Sequence, residues 1–474
     1  MTSISTTKKC FINVRDEVFC TISGLSPTHS QELEKKYAVF VDGYFFMPAY
    51  KLGRWDGKKK FFEKTGKTYL PFLPDILQYL DECGYEIELN DLRKSIIPPD
   101  AVCSEEQFKH KNIVLRPYQI ESVNILAEAG NGFIIAGTGA GKSLICSALV
   151  DIYGKAKCKT LTVVPSSDLV SQTTEWYCAC GLDAGEYSGN RKEIDKLHVV
   201  ATWQSLQNNP QLMSLFQMFI IDEAHGVKGQ VIYDLITEHG KHIPFRFGVT
   251  GTFPKPIAEQ MMLTSTIGEI RKEIPAKWLI ENGYLAKVEI EPIIIEMSAN
   301  SDDFPDYASE RSYLAKNESR LDVIANILIM KCNQFGNTLA LVNSVEMGEQ
   351  LQKRIENSVF LYGNNDKKER KTQYDSYAEQ DGIITIATFG IASTGISIDR
   401  IFHLSLIDAG KSFVRAIQSV GRGTRLAKDK NSVHVTDIHS NMKWSKKHYK
   451  ERKKHYEEAG YPILPTTKVK IKRS

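Results

Sequence analysis

Phe133-Ile134-Ile135-Ala136-Gly137-Thr138-Gly139-Ala140-Gly141-Lys142-Ser143 decides the reading of this chain. The first three residues, apolar and mostly β-branched, read as a buried strand. The glycine-rich run reads as a tight loop, and the apolar segment from Leu144 as a helix. Strand, glycine loop and a helix opening on Lys-Ser make a P-loop. Gly137, Gly139 and Gly141, with Thr138 and Ala140 between them, bring backbone N–H groups up to phosphates, and the helix N-terminus adds its positive end. Lys142 is placed to reach the β and γ phosphates of ATP, and Ser143 to ligate Mg²⁺. Ala136 stands where the general pattern has its first glycine.

Outward from this loop, short apolar runs alternate with helix-length segments: Leu161-Thr162-Val163-Val164, His198-Val199-Val200, Phe219-Ile220-Ile221 and Phe247-Gly248-Val249. Such runs suit strands covered on both faces of a parallel sheet. A second set follows over Thr338 to Val342, Val359 to Tyr362, Ile383 to Ala387, Ile401 to Ile407 and Val433 to Val435. Two consecutive doubly wound α/β domains are implied. Residues 1–108 instead show short alternating runs, Phe11-Ile12-Asn13-Val14 and Val39-Phe40-Val41, typical of a small α+β domain. Gly53-Arg54-Trp55-Asp56-Gly57 reads there as a hairpin or tight turn between Tyr44-Phe45-Phe46 and Phe61-Phe62. The expected organisation is a small α+β N-terminal domain over 1–108 and a first α/β lobe over 109–290. A second lobe over 291–440 and a basic helix and tail over 441–474 complete it.

Composition agrees with this size. A chain of 474 residues allows about three domains, and 42% hydrophobic with 25% charged residues excludes disorder and fibrous repeats as defaults. No run approaches the roughly 18 apolar residues of a membrane span, and Met1 to Lys9 lacks an apolar signal core, so a cytoplasmic protein without a membrane partner is expected. Nine cysteines, an odd number with no C-x-x-C pair, argue against a disulfide framework or a zinc site. The net charge of +3 hides an uneven distribution: 11 Lys/Arg against 3 Glu from Met442 to Ser474, and 7 against 2 acids from Lys51 to Lys67. Taken alone, such runs are usually solvated surface.

Three further strings carry chemistry. Asp222-Glu223-Ala224-His225 follows a strand, which puts Asp222 at the strand's carboxyl end, where open α/β sheets bind ligands. Asp222 is read as holding Mg²⁺ through water and Glu223 as polarising the water that attacks the γ-phosphate. Arg116-Pro117-Tyr118-Gln119 opens a helix about 20 residues before the P-loop, with Gln119 offering a donor and an acceptor to a base edge. In the second lobe, Gln418-Ser419-Val420-Gly421-Arg422-Gly423-Thr424-Arg425 places two arginines three apart, suited to the charge of a transferring phosphoryl group.

The ordered set resembles the superfamily 2 helicases from residue 112 to about 440. Beyond the strings above, it includes Val164-Pro165-Ser166-Ser167 with Gln172, Ala201-Thr202-Trp203-Gln204-Ser205, Thr250-Gly251-Thr252, Leu341-Val342-Asn343-Ser344, Ala387-Thr388-Phe389-Gly390 and Ser393-Thr394-Gly395-Ile396-Ser397. The resemblance implies two tandem RecA-like lobes, with ATP held by the P-loop, Arg116, Gln119 and Gly395. Gln418, Arg422 and Arg425 would be catalytic beside Lys142, Asp222 and Glu223, and His225, Thr250, Thr252 and Thr394 would couple hydrolysis to movement. Nucleic acid is expected across both lobes at Ser166, Gln172, Thr202, Gln204, Ser344 and Thr388. Ser397 stands where many relatives carry an acid, a departure that puts a catalytic role there in question.

More narrowly, Asp42-Gly43-Tyr44 followed by Gly53-Arg54-Trp55-Asp56-Gly57 resembles the N-terminal domain of the phage UvsW helicases, nearest to the branch-migration helicases of T-five-like phages. That resemblance implies ATP-driven unwinding and remodelling of forks, displacement loops and Holliday junctions, and a monomer in the host cytoplasm is expected. Lys58, Lys59 and Lys60 are then expected on DNA phosphates, with Trp55, Phe61 and Phe62 either against an exposed base or in the domain core. Trp444, His448, Tyr449 and Tyr456 are expected to pack a C-terminal helix on the second lobe. The Asp-Glu-Ala-His box occurs in RNA and DNA motors alike, so an RNA helicase remains the alternative, as does an ATP-gated nucleic-acid scaffold.

Overall fold

Every residue of the strand Met218–Asp222 is buried, as is every residue of Thr160–Val164, His198–Thr202 and Phe245–Thr250. β-Branched and aromatic side chains covered on both faces by helices favour parallel pairing, and each large apolar side chain so buried contributes about 1.5–3 kcal/mol. The computed structural model describes residues 8–93, 102–137, 139–189, 191–223, 229–284, 287–299, 301–362, 382–389, 402–409, 432–458 and 460–471. The chain divides into two compact units, residues up to 137 with 141–274, and residues 138–140 with 275–474.

In the first unit an eight-stranded sheet runs in the order Arg191–Lys192, Ala184–Ser188, His198–Thr202, Thr160–Val164, Met218–Asp222, Phe245–Thr250, Asn131–Ala136 and Ile270–Ile274. All pairings are parallel except the one at the Arg191–Lys192 edge. The helix Lys142–Lys155 is buried on nearly every side, through Ile145, Ala148, Leu149, Ile152 and Tyr153 among others. That explains why its sequence shows so little amphipathic periodicity.

The same unit contains a four-stranded N-terminal sheet in the order Lys67–Tyr69, Phe19–Ser23, Lys8–Val14 and Tyr85–Asp91, antiparallel except for the last pair. This small α+β domain is fastened to the first lobe by buried polar contacts. Arg246 donates to the carbonyls of Ile243 at 2.9 Å and Glu17 at 2.6 Å, the Glu17 N–H donates to the Lys241 carbonyl at 2.8 Å, and the hydroxyls of Tyr69 and Tyr233 meet. Burial lowers the Arg246 pKa to about 10. Cys103 and Gln107, which lie before the expected boundary at 108, also bond into the lobe, to Asn124 and to the Ala148 carbonyl.

One expectation for this domain changes. Tyr44–Phe46 is a 3₁₀ turn, not a strand, and the antiparallel pair is Ala38–Phe40 with Lys58–Lys60. Gly43, in the left-handed region at φ 67°, starts that turn, so three apolar residues in a row reflect a projecting corner. Phe61 and Phe62 are fully buried and belong to the core. Trp55 is half-buried, its indole N–H donating to the Lys58 carbonyl at 2.8 Å.

In the second unit all seven strands are parallel, in the order Ser358–Leu361, Ile384–Thr388, Thr338–Val342, His403–Ile407, Ser432–Ser440, Lys287–Glu296 and Thr467–Lys470. Lys287–Glu296 crosses the expected lobe boundary at 290 and is a single strand of this second sheet. The tail is more than a helix: Lys443–Glu458 is helical, with His448 and Tyr456 buried, and Thr467–Lys470 then adds an edge strand. No helix among the described residues is long and apolar enough to cross a membrane.

Candidate active site

The P-loop begins where Asn131–Ala136 ends, with the Gly137 N–H held by the Ile274 carbonyl at 2.9 Å. Gly139 and Gly141 take left-handed backbone, at φ 85° and 76°, and Gly141 is the N-cap of Lys142–Lys155. Only glycine adopts these angles without strain, and such left-handed turns are the backbone in which anion-binding loops are built. Ser143 is exposed on the helix's first turn.

The Lys142 ammonium lies 3.2 Å from the Glu223 carboxylate. Glu223 follows the strand end at Asp222 with φ 55°, a left-handed angle uncommon for a side-chain-bearing residue, and its N–H donates to the Val249 carbonyl at 3.0 Å. Asp222 is buried, and its Oδ1 has no hydrogen-bond partner among the described residues. Burial first, then the neighbouring Glu223 charge, push its pKa up to about 7, against the pull of Lys142. A buried carboxylate oxygen with an open valence beside a P-loop lysine is the donor a hydrated Mg²⁺ needs, and Mg²⁺ commonly takes one or two protein oxygens, the rest coming from phosphate and water. Ser143 and Asp222 fit that group.

Gln119 is buried on the helix Pro117–Ala129 and accepts the Arg116 N–H at 2.9 Å. A Cβ built on Gly141 would fall 2.3 Å from its Nε2, so the glutamine amide lies against the loop itself. Thr250 is buried and donates to the Thr252 carbonyl at 3.0 Å. Gly251, to which no role was given from the sequence, lies beside the P-loop lysine: a Cβ built there would fall 3.5 Å from the Lys142 Nζ. The signal was present in its place between Thr250 and Thr252.

Ser166 and Thr202 cap the helices that follow two first-lobe strands, accepting the N–H groups of Leu169 and Ser205. Ser344 caps Val345–Arg354 in the same way in the second unit. Gln172 and Gln204 are exposed, and Thr388 is half-buried at the end of its strand. Lys60 pairs with Glu34 at 2.7 Å, Lys58 lies 4.7 Å from the centre of the Phe40 ring, and Lys59 lies 3.6 Å over Tyr233. Lys59 thus faces the first lobe. Thr138, His225, Thr394, Gly395, Gln418, Arg422 and Arg425 fall outside the described residues.

The second unit contains a charged cluster that carried no motif. Arg320, fully buried, donates to Asp408 at 2.6 Å, and the Asn343 amide donates to the Asp408 carbonyl. Arg452 grips Asp437 with two bonds, at 2.6 and 2.8 Å, and donates to the Ala409 carbonyl. These groups fix the end of the strand His403–Ile407.

Residues 25–90 match the family model described as DNA helicase UvsW, N-terminal, and residues 112–255 that of Type III restriction enzyme, res subunit. The chain is 25% identical over 435 residues to the ATP-dependent DNA helicase uvsW of Enterobacteria phage T4, covering 86% of each. It is also 25% identical over 329 residues to a putative DNA 3′-5′ helicase Rad25 of Halobacterium salinarum, covering 66% of this chain and 52% of that one. Among solved structures, the fragment of a putative HsdR subunit of a type I restriction enzyme from Vibrio vulnificus matches at TM-score 0.56 and 16% identity, over 95% of this chain and 85% of that one. Two parallel-sheet lobes with a P-loop facing an Asp-Glu strand end define a superfamily 2 ATP hydrolase of the helicase class. Within that class the chain is similar to the UvsW type, through the N-terminal model matched over residues 25–90 and the 86% of each chain aligned with the phage T4 helicase.

Proposed function

We propose that the protein is an ATP-driven DNA translocase that unwinds and branch-migrates forks, displacement loops and Holliday junctions in phage recombination, repair and replication, as a monomer in the host cytoplasm. The observation that carries the reading is the Lys142–Glu223 contact beside buried Asp222, in a chain whose residues 25–90 match the UvsW N-terminal model. Bound Mg²⁺ would neutralise phosphate charge between Ser143 and Asp222. Lys142 would hold the β and γ phosphates, Glu223 would take the proton of the attacking water, and Arg116, Gln119, Gly139 and Gly141 would orient the nucleotide. Arg422 and Arg425 would meet the transferring phosphoryl group from the second lobe with Gln418 beside them. His225, Thr250, Thr252 and Thr394 would then transmit the change to groups holding the DNA backbone, namely Ser166, Gln172, Thr202, Gln204, Ser344 and Thr388. The test is ATP turnover stimulated in parallel by single-stranded DNA, duplex, fork, four-way junction and RNA. Strongest stimulation by branched DNA is expected; stimulation by RNA alone would overturn the reading.

A further inference from the structure

The projecting corner of the N-terminal domain exposes six large apolar side chains within thirteen residues: Phe40, Phe45, Phe46, Met47, Tyr50 and Leu52. Phe45 is 51% exposed and Phe46 70%, above Phe11 at 41%, in a domain where Phe61, Phe62 and Phe72 are buried and Phe19 is half-buried. Isolated exposed apolar residues are ordinary, but a contiguous cluster marks a surface that meets something.

The cluster is held in shape by its own backbone. Gly43 opens the 3₁₀ turn, and the N–H groups of Tyr44, Phe46 and Met47 donate back to Val41, Gly43 and Tyr44. Tyr44 stacks on Phe40 at 4.6 Å and meets Tyr50 edge-on at 4.8 Å. Gly57, at φ 80°, lets that ring lie on the backbone, since a Cβ there would fall 2.5 Å from it. Tyr44 is therefore the pedestal, while Phe45 and Phe46, 4.2 Å apart and tilted by 47°, stand outward. Lys51 and Arg54 lie exposed a few residues away, and the Lys58 ammonium sits over Phe40. Flat, rigid, exposed rings surrounded by cations suit a ligand with π-faces on an anionic backbone, which is nucleic acid with unpaired bases.

We propose that Phe45 and Phe46 form a base-stacking knob that engages the unpaired bases where duplex DNA divides, with Lys51, Arg54 and Lys58 on the flanking phosphates. This rests on the DNA-remodelling reading above and names the part of the substrate that the N-terminal domain recognises. Of the aromatics that the sequence left open between an exposed base and the core, Trp55, Phe61 and Phe62, the two phenylalanines are core, and the exposed pair lies earlier in the chain, at 45 and 46.

The experiment measures binding of the full chain to a fork and to a plain duplex of equal length by fluorescence anisotropy, with 2-aminopurine at the fork junction. F45A/F46A should unfold at the same temperature as the parent, lose about tenfold in fork affinity, keep its duplex affinity, and lose the junction 2-aminopurine change. F45L/F46L should fail likewise, and F46W should retain both signals. Unchanged fork affinity and 2-aminopurine response in F45A/F46A, with the parent preferring forks, would overturn the knob and leave the motor reading standing. Retention by F45L/F46L alone would also overturn it, by showing a merely apolar contact of the kind a protein partner makes. A parent protein that binds no DNA would overturn both readings.

Discussion

The Lys142 ammonium and the Glu223 carboxylate stand 3.2 Å apart, joining the P-loop to the end of the strand Met218–Asp222, which is separated from the P-loop strand by Phe245–Thr250. In the proposed mechanism the lysine holds phosphate and the glutamate takes a proton, so the two would neutralise each other until a nucleotide drew the lysine away, and each would serve a different step.

Lys142→Ala should abolish ATP binding and turnover together, because the charge that reaches the phosphates is removed. Glu223→Gln should keep ATP binding and lower turnover by about 10²- to 10⁴-fold, the usual contribution of a general base. Nucleotide titration by calorimetry and steady-state phosphate release separate the two. Normal turnover in Glu223→Gln would remove the glutamate from the chemistry.

Asp222 predicts an opposite pair of effects. Its pKa, ordinarily 3.8, stands near 7 in the folded protein, so between those values the folded state binds more protons than the unfolded one. Stability then falls as pH rises from about 4 to about 7, by at most about 4 kcal/mol. Asp222→Asn, which carries no charge to bury, should raise the unfolding temperature of the nucleotide-free protein at pH 8, show little gain near pH 4, and lose turnover. An equal gain at both pH values would show that the carboxylate is not the source.

The P-loop, the Asp-Glu pair and both parallel sheets were legible because each is written in contiguous residues: apolar runs for strands, glycines for the loop, acids just past a strand end. The Arg320–Asp408 pair was not legible, since its partners lie 88 residues apart and a buried arginine looks in sequence like one on a solvated face. Thr467–Lys470 alternates lysine with Thr and Val, and reads as a charged tail until Ile293–Glu296 pairs with it. Tyr44-Phe45-Phe46 misled in the other direction. Its apolar character signals exposure at a turn, and hydrophobicity alone does not say which side of the surface a ring is on.

Gly141→Ala should damage the site through the backbone. Left-handed geometry at φ 76° costs a β-carbon about 1–2 kcal/mol, and the new methyl would press on the Gln119 amide. Gly53→Ala has a similar φ of 67° with nothing within 4 Å, so it isolates the backbone cost. Gly141→Ala should lose more stability than Gly53→Ala in urea unfolding, by the cost of displacing the Gln119 amide, and only Gly141→Ala should weaken ATP binding; equal losses and equal nucleotide affinity in the two would sink the Gln119 contact.

The three lysines of Lys58–Lys60 should separate. Lys59, lowered in pKa by burial and set over Tyr233, serves the contact between the N-terminal domain and the first lobe. Lys59→Ala should therefore lower the unfolding temperature. Lys58→Ala should instead reduce the slope of log affinity against log salt by about one, as expected for a lost phosphate contact. Salt titration of fork binding for each single variant distinguishes them, and identical slopes in Lys58→Ala and the parent would place Lys58 away from DNA.

Arg452 gives the sharpest test of the second unit. Burial opposes the charge on Asp437, yet the Arg452 guanidinium, with its two bonds and a third from Tyr456 at 2.8 Å, holds that carboxyl below its ordinary value. A depressed carboxyl stabilises the fold above the unfolded pKa, near 4, and the contribution is lost as pH falls through the folded value. Arg452→Met leaves a buried charge without its cation and should cost about 3–5 kcal/mol near neutral pH, less at pH 4.5, where Asp437 can take a proton. Asp437→Asn in the same chain should recover part of the loss, because no buried charge is left stranded. Urea unfolding of the parent, both single variants and the double variant at the two pH values measures the coupling directly. A deficit in Arg452→Met that is the same at both pH values, with no recovery in the double variant, would trace the loss to packing and the Ala409 contact and take the Asp437 pair out of the account.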